Sequence, residues 1–264
     1  MRIGFIGCGN MATAMISGIL ESGAAKEEEI MASDKAPLAQ KKIIEELKIQ
    51  YGETNQAVAE FADVLFLAVK PQYYADVISE IKYVMTGKEV IVTIAPGKTL
   101  GWLEQQFGRP LKIVRTMPNT PAMVKAGMMG LSKNQYVTDG EMEMVQGLCR
   151  SFGRAEWVPE NLLDVVTSVS GSGPAYVFMM IEAMADGAVA DGMPRALAYE
   201  FAAQAVYGSA KMILDLGKHP GELKDMVCSP GGTTIDAVRV LEERGFRSAL
   251  IEAEKACVKK AKKL

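Results

Sequence analysis

Over the first 159 residues, short apolar runs alternate with helical patterns, and this alternation constrains the fold more than any other feature of the chain. Uninterrupted apolar runs of this length are typical of strands buried on both faces. Strands that alternate with helices predict an α/β architecture, with a doubly wound, mostly parallel sheet covered on both sides. We predict strands at residues 3–6, 30–32, 64–69, 90–94, 113–116 and 155–158, and helices at 11–22, 38–47, 73–84, 99–107 and 139–152.

After Pro159 the strand pattern stops, and helical stretches rich in alanine and methionine take its place. We predict helices at 162–168, 174–190, 195–216, 233–244 and 246–263. The stretch 174–181, PAYVFMMI, is apolar on nearly every side, so it needs cover on most of its faces. A segment of about a hundred residues offers little interior for it. We therefore predict two domains, 1–159 with the sheet and 160–264 all-α, the second of which pairs with another copy of the chain.

Composition and charge exclude several classes of function. The 264 residues include 29 basic and 32 acidic ones, a near balance that argues against a nucleic-acid-binding surface. The four cysteines are far apart, with no Cys-x-x-Cys pair, which indicates a reducing compartment without a disulfide framework or a zinc site. No apolar run is long enough to span a bilayer, and the first residues lack a signal-peptide pattern. We expect a cytoplasmic protein without a metal, a membrane partner or a nucleic-acid partner.

The chain has a single histidine, so a Ser-His-Asp triad would depend on His219 alone. His219 lies between Gly217, a typical residue after a helix end, and Pro220, a typical first residue of a helix. These neighbours favour a turn between two helices over a catalytic role.

The segment GCGNMA at residues 7–12 directly follows the first predicted strand and opens the first predicted helix. Its spacing is G-x-G-x-x-A, in which glycines allow a tight turn and bring backbone N–H groups to a pyrophosphate at the helix N-terminus. The alternative is a tight turn without a ligand. We predict a Rossmann-type dinucleotide-binding domain whose candidate cofactor residues here are Ile6, Gly7, Cys8, Gly9, Asn10, Met11 and Ala12.

The end of the second predicted strand bears on the choice of cofactor. Asp34 follows Ala12 by 22 positions and can accept hydrogen bonds from a ribose 2′-hydroxyl, which favours NAD. Ser33 and Lys35 flank it and can instead hold a 2′-phosphate, which favours NADP. The residues leave this choice open.

Other candidate cofactor residues follow later strands, at the edge where ligands bind in doubly wound sheets. The segment Ala68, Val69, Lys70 and Pro71 ends the third predicted strand, and Lys70 is either a cofactor ligand or a plain surface lysine. Asn55 lies in a Thr-Asn pair that is typical of a helix start and is also within reach of a cofactor. Asn119, in a Pro-Asn-Thr-Pro loop after the fifth strand, is either a turn residue or a ligand.

A second glycine-rich loop, CSPGGTTIDAV, lies at residues 228–238, far from the first. One interpretation is an ordinary helix start, with Thr233 as the capping residue and Asp236 at the capping-box spacing. However, two glycines and two threonines in series exceed what a cap needs. Gly231 and Gly232 allow the backbone N–H groups to turn inward, and a helix N-terminus favours an anion. With the hydroxyls of Ser229, Thr233 and Thr234, this donor set predicts a carboxylate site.

A third segment of small residues, SVSGSGP at 168–174, precedes the most apolar predicted helix. We interpret it as a cap, with Pro174 as the first helical residue. No lysine occurs between Arg154 and Lys211, so this helix cannot supply the lysine acid of the β-hydroxyacid dehydrogenase pattern.

Taken in order, residues 7–12, 68–71, 117–121, 170–176 and 229–234 resemble the pyrroline-5-carboxylate reductase family, and the resemblance runs essentially end to end. Residues 219–221, 229–234 and 245–248 are its most specific part. The resemblance implies a Rossmann domain followed by an all-α dimerisation domain, and assembly as dimers or rings of dimers. It also implies reduction of 1-pyrroline-5-carboxylate to L-proline, with NADPH or NADH as the hydride donor.

The resemblance further implies roles for the second glycine-rich loop, residues 228–238, which we call the late loop. Ser229 and the backbone of Gly232 and Thr233 would hold the substrate carboxylate, with Gly231 in the same substrate-binding loop. Thr234 would be the catalytic residue, hydrogen-bonded to the ring nitrogen. Two other functions stay open: a different imine or hydroxyacid reductase on the same frame, and a regulatory protein that binds NADP(H) without turnover.

Overall fold

The computed structural model describes residues 1–263, with the side chains of residues 37–40 and 42 left out. One eight-stranded sheet has the order β3-β2-β1-β4-β5-β6-β7-β8, and every neighbouring pair is parallel except β6 and β7. This order confirms the doubly wound, mostly parallel sheet. Its strands are β1 Ile3–Ile6, β2 Ile30–Ser33, β3 Gln50–Tyr51, β4 Val64–Leu67, β5 Val90–Thr93, β6 Lys112–Met117, β7 Gly127–Lys133 and β8 Gly153–Trp157.

Helices connect the strands and then make up the rest of the chain. The helices between strands are α1 Asn10–Glu21, α2 Pro37–Leu47, α3 Asn55–Phe61, α4 Tyr74–Ile81, α5 Leu100–Phe107 and α6 Asp139–Arg150. Those after the sheet are α7 Leu163–Val166, α8 Gly173–Ala190, α9 Arg195–Leu216, α10 Pro220–Val227, α11 Thr233–Glu243 and α12 Phe246–Ala261.

Two apolar clusters cover the two faces of the sheet, which is why its central strands are apolar throughout. On one face, Phe5 and Phe66 stack with ring centroids 4.7 Å apart under residues of α1 and α6. On the other face, α3, α4 and α5 pack over alternate residues of the same strands, with Tyr74 fully buried among them.

The strand predictions need four corrections, the first being that β8 runs from Gly153 to Trp157 and not from 155 to 158. The apolar patterns do not predict the two-residue β3 or the antiparallel β7. The third predicted strand, 64–69, is too long, because β4 ends at Leu67. Ala68 still donates its N–H to the Ile6 carbonyl (2.8 Å), and its own carbonyl group packs against the turn at Gly7.

The capping interpretation of residues 168–174 is wrong. Thr167–Ser172 form one turn of π-helix after α7, and α8 begins at Gly173, so Pro174 is not its first residue. The Ser170 hydroxyl donates to the Val166 carbonyl (3.0 Å) and the Thr167 hydroxyl to the Leu163 carbonyl (2.8 Å). The hydroxyls of these small residues therefore donate to carbonyls one turn earlier in the helix and do not cap a helix start.

The chain forms two compact units, one of Met1–Ser172 with the residues from Cys257 onward, the other of Gly173–Ala256. In the second unit, α8 packs along α9, and the side chains buried there are small, such as Ala185, Ala198 and Ala202. Large apolar side chains of these helices are exposed, among them Phe178, Met179, Phe201 and Leu214. Within residues 1–263, no helix combines the length and apolar character needed to cross a bilayer.

Candidate active site

The turn between β1 and α1 is built around two glycines. Gly7 donates its N–H to the Ser33 carbonyl (2.8 Å) and has φ +107°. A Cβ at Gly7 would lie 2.7 Å from the Ala68 carbonyl group, so only glycine fits here. The N-cap of α1 is Gly9, which has no side chain to accept from the first helical N–H groups. These N–H groups are therefore available to a phosphate.

A cleft of about 480 Å³ lies between this turn and the ends of β2 and β4. Nine predicted cofactor residues line it: Ile6, Gly7, Gly9, Asp34, Lys35, Asn55, Ala68, Val69 and Lys70. Its position beside β1, where the strand order reverses between β2 and β4, is where doubly wound sheets bind ligands.

The remaining predicted cofactor residues do not line this cleft. Asn10, with Cys8, lines a second cleft of about 370 Å³ beyond Gly9, and Met11 and Ala12 pack into the core of the first unit. Pro71 starts the short 3₁₀ helix Pro71–Tyr73. Ser33 is buried, and its hydroxyl donates to the side chain of Asn55, which lines the cleft.

The carboxylate of Asp34 ties two loops together. Its Oδ2 accepts from the Cys8 N–H (2.7 Å) and its Oδ1 from the Ala36 N–H (2.8 Å). Burial of the Cys8 thiol, with a smaller effect of the nearby Asp34 charge, raises the pKa of Cys8 to about 12. Cys8 is thus a protonated packing residue of the turn and not a thiolate nucleophile.

Asn55 has a fixed orientation, because both ends of its amide are hydrogen-bonded. The Ser33 hydroxyl donates to Asn55 Oδ1 (2.7 Å), and Asn55 Nδ2 donates to Glu80 Oε2 (2.6 Å). The other carboxylate oxygen of Glu80 lies 3.4 Å from Lys35 Nζ. Thr54 also caps α3, since its hydroxyl accepts from the Ala57 N–H (3.1 Å), as the Thr-Asn pair predicts.

Four residues near the cleft are missing from the predicted set: Ala36, Tyr73, Val77 and Glu80. Tyr73 and Val77 give the cleft an apolar wall. The sequence signal that could have found them is the four-residue spacing between them, which places both on one helical face just after Pro71. Glu80 lies one turn further along α4, and nothing in the local sequence pattern distinguishes it from an ordinary surface glutamate.

Asn119 braces the loop after β6. Its Nδ2 donates to the Ser170 carbonyl of the π-turn (2.9 Å), and its Oδ1 accepts from the Met128 N–H (2.8 Å). The side chain is buried, and its amide is engaged at both ends. A contact between Asn119 and a cofactor stays a prediction.

The second glycine-rich loop lies in the second unit, between α10 and α11. Gly232 donates its N–H to the Ser229 carbonyl (3.0 Å), and Gly231 has φ +69°, a left-handed conformation that favours glycine. The N-cap of α11 is Gly232, and Thr233 is the first helical residue. The interpretation of Thr233 as the cap is therefore wrong. As at α1, a glycine begins the helix, and its side chain cannot accept from the first N–H groups.

Ser229 packs directly against Gly232. A Cβ on Gly232 would lie 2.4 Å from the Ser229 hydroxyl oxygen. Gly232 and Thr234 are half-buried, whereas Ser229, Gly231 and Thr233 are exposed. The serine hydroxyl thus lies beside the first turn of α11.

With the Ser229 hydroxyl as a carboxylate ligand, as the sequence predicts, Gly232→Ala is expected to lower kcat/KM for a carboxylate substrate by about 10- to 50-fold, because the new methyl group displaces that hydroxyl and with it one hydrogen bond. Thermal unfolding should change little, since the loop is largely exposed. Steady-state kinetics of Gly232→Ala, Ser229→Ala and the double variant provide the measurement. The two effects should be far from additive; full additivity would contradict this account.

His219 is the N-cap of α10, and its Nδ1 accepts from the Gly221 N–H (3.0 Å). Pro220 is the first residue of α10, and Gly217 ends α9 with φ +63°. All three residues have the turn roles that the sequence predicts.

A glycine-rich turn at the switch point of a parallel sheet, beside a cleft of nucleotide size, defines a dinucleotide-binding protein of the Rossmann class. Two family models match the chain. Residues 2–96 match the family described as NADP oxidoreductase coenzyme F420-dependent, and residues 160–264 match pyrroline-5-carboxylate reductase dimerisation.

Named proteins similar to this chain over its full length agree with the second match. The pyrroline-5-carboxylate reductase of Escherichia coli (strain K12) is 51% identical over 263 residues, which cover 100% of this chain and 98% of that one. A pyrroline-5-carboxylate reductase structure from Coxiella burnetii superposes with a TM-score of 0.94 at 34% identity, covering 99% and 97% of the two chains. A Plasmodium falciparum pyrroline carboxylate reductase, solved with NADP bound, superposes with a TM-score of 0.88 at 30% identity, again covering 99% of this chain and 97% of that one. The chain belongs to the pyrroline-5-carboxylate reductase family.

Proposed function

We propose that this protein reduces the C=N bond of 1-pyrroline-5-carboxylate to give L-proline, the last step of proline biosynthesis, with a nicotinamide coenzyme as hydride donor. The observation that carries the proposal is the second glycine-capped helix start, at Gly232, within the segment that matches the family's dimerisation model. A second set of anion-binding N–H groups, separate from the nucleotide turn, suits a substrate with a carboxylate.

Each residue of the late loop has a proposed task. The Ser229 hydroxyl and the backbone N–H groups of Gly232 and Thr233 hold the carboxylate, with Gly231 giving the loop its left-handed turn. The Thr234 hydroxyl, on the second residue of α11, hydrogen-bonds the ring nitrogen. These contacts fix the imine carbon for hydride transfer, and such positioning is itself a large part of catalysis.

The chemistry needs little from acidic or basic side chains. A cyclic imine is readily protonated, and the resulting iminium is a good hydride acceptor, so no strong protein acid is required. The coenzyme supplies the hydride. This division of labour agrees with a chain whose single histidine caps a helix.

For the coenzyme we propose NADPH, with NADH as a usable second donor. Two observations support NADPH: the relative from Plasmodium falciparum was solved with NADP bound, and the Lys35 amine is exposed at the cleft, where it can pair with a 2′-phosphate. The turn fits a dinucleotide, because a Cβ placed at Gly9 would meet open space, so the backbone there is accessible to a pyrophosphate.

The proposed organisation has two further parts. Residues 1–159 form the dinucleotide-binding domain and residues 160–264 the dimerisation and substrate-binding domain. Exposed Phe178, Met179 and Phe201 support a homodimer, or a ring of dimers, that covers these side chains. Four unpaired cysteines support a cytoplasmic location.

The test is oxidation of NADPH and of NADH by the purified protein, each with and without 1-pyrroline-5-carboxylate. Oxidation that depends on the pyrroline is the expected result, with the higher kcat/KM for NADPH. Activity on a hydroxyacid alone would favour a different reductase. Tight NADPH binding without oxidation would favour a regulatory protein.

A further inference from the structure

We infer that Glu80 is a specificity-determining residue that opposes a 2′-phosphate in the coenzyme cleft and so narrows the preference for NADPH over NADH. The inference rests on the proposed use of this cleft for a nicotinamide coenzyme, and it goes beyond that proposal by naming the residue that weakens the preference for NADPH.

The argument begins with the contacts of Glu80. Its Oε2 accepts from Asn55 Nδ2 (2.6 Å), and its Oε1 lies 3.4 Å from Lys35 Nζ. Asn55 and Lys35 both line the cleft, so the carboxylate stands directly behind two of its wall residues. Its side chain is 32% exposed, so its charge is only partly screened by water.

The position of the 2′ group follows from the fold. In this class of sheet, the residue at the end of the second strand meets the ribose 2′ position. Here that residue is Asp34, directly before Lys35. The nearby side chains of Asp34, Lys35 and Glu80 thus bring two negative charges and one positive charge to the 2′ position.

The two coenzymes differ at this position in charge. A 2′-hydroxyl is neutral, whereas a 2′-phosphate carries about −1.5 to −2. A phosphate paired with Lys35 would lie roughly 6 Å from the Glu80 carboxylate, and even with water-like screening a carboxylate at that distance weakens phosphate binding by about 3- to 10-fold. The same carboxylate has little effect on a neutral hydroxyl. Glu80 therefore lowers the affinity for NADPH and leaves the affinity for NADH nearly unchanged.

The ion pair with Lys35 does not reverse this sign. The Lys35 side chain is 70% exposed, and exposed pairs of this kind hold a lysine only weakly. Without Glu80, Lys35 remains beside Asp34 and is free to turn toward a phosphate. Removing Glu80 therefore strengthens phosphate binding overall. The repulsion that is removed outweighs the small loss in the positioning of Lys35.

The experiment is Glu80→Gln, which removes the charge but keeps a carbonyl oxygen to accept from Asn55 Nδ2. Calorimetric titration of the full protein uses adenosine 2′,5′-bisphosphate, which carries the 2′-phosphate, and 5′-AMP, which does not. We expect the variant to bind the bisphosphate about 3- to 10-fold more tightly and 5′-AMP within about twofold of the starting protein. The gain should shrink as salt is raised.

Glu45→Gln is the matched control. Glu45 pairs with Lys41 across an exposed turn of α2 at 3.7 Å, and neither residue lines the cleft. This variant should leave both affinities unchanged, and it removes the same charge as Glu80→Gln. The ratio of kcat/KM for NADPH to that for NADH should rise for Glu80→Gln alone.

Two outcomes would overturn the inference. Weaker binding of the bisphosphate by Glu80→Gln would mean that Glu80 holds Lys35 for the phosphate. Equal changes for the bisphosphate and 5′-AMP would mean that Glu80 acts on the shared adenosine or on the fold. Failure of the proposed function looks different, since the starting protein would then oxidise neither coenzyme with the pyrroline, whatever the variant does.

Discussion

Replacing Arg115 with alanine is expected to lower the free energy of unfolding by about 2–4 kcal/mol. Arg115 lies on β6 with a side chain only 5% exposed, and it pairs with Glu160 Oε1 (3.0 Å) and Asp164 Oδ1 (3.6 Å). Glu160 Oε1 also accepts from the Leu100 N–H at the start of α5 (2.7 Å). Alanine leaves two carboxylates without their cation and removes packing in the sheet. Because both acids are partly exposed, water offsets some of this cost.

Thermal unfolding at fixed protein concentration gives the measurement, and the midpoint should fall by about 4–8 °C. Arg2→Ala is the matched control, since Arg2 pairs with Asp63 at 3.5 Å but both side chains are more than half exposed. Its cost should be about 0–1 kcal/mol. Arg115→Met combined with Glu160→Gln and Asp164→Asn should recover most of the loss, because no unpaired charge remains. An Arg115→Ala variant as stable as Arg2→Ala would contradict the account.

The central strands were predictable from the sequence because they are buried on both faces. The predicted strand at 3–6 matches β1, and those at 30–32, 90–94 and 113–116 fall within a residue of β2, β5 and β6 at each end. Among the helices after the sheet, the prediction at 195–216 matches α9, and those at 174–190, 233–244 and 246–263 fall within two residues of α8, α11 and α12, whereas α10 has no predicted range. In both cases the apolar pattern is continuous over the whole element, so local sequence and tertiary burial agree.

The strand β7 was not predictable, because its glycines serve packing and not strand formation. Its sequence is GMMGLSK, and glycine normally argues against a strand. A Cβ at Gly130 would lie 2.9 Å from Val166, and a Cβ at Gly127 2.8 Å from the Phe152 carbonyl oxygen. Both glycines are required by neighbours distant in sequence, which no local pattern reveals. The π-turn before α8 was missed for a similar reason, since its serines bond backward along the helix.

The candidate site divides in the same way. The two glycine-rich loops were predictable, because a helix start without a side-chain cap has a local signature. The residues that act from behind the cleft were not, since Glu80 reaches Asn55 and Lys35 only through the packing of α4 beside α3. Sequence patterns thus identify the candidate ligand-binding groups more readily than the residues that hold those groups in place.

Thr234→Val is expected to lower kcat/KM for 1-pyrroline-5-carboxylate by about 10- to 100-fold, the result of losing one hydrogen bond worth roughly 1.5–3 kcal/mol. Valine has nearly the shape of threonine, so the half-buried side chain at position 234 keeps its packing. The hydroxyl is the only polar group removed, and in the proposed site it hydrogen-bonds the protonated ring nitrogen. Because this bond positions the iminium carbon for hydride transfer, kcat should fall more than KM rises.

Two neighbouring substitutions separate this role from a general disturbance of the loop. Thr234→Ser keeps the hydroxyl and should retain activity within about threefold, since only a methyl group is lost. Thr233→Val makes the same chemical change one residue earlier, where the proposed contact is the backbone N–H and the side chain is exposed. It should change kcat/KM by no more than about threefold. If Thr233→Val and Thr234→Val lose activity equally, the hydroxyl of Thr234 has no special place in the reaction, and the carboxylate site alone accounts for the loop.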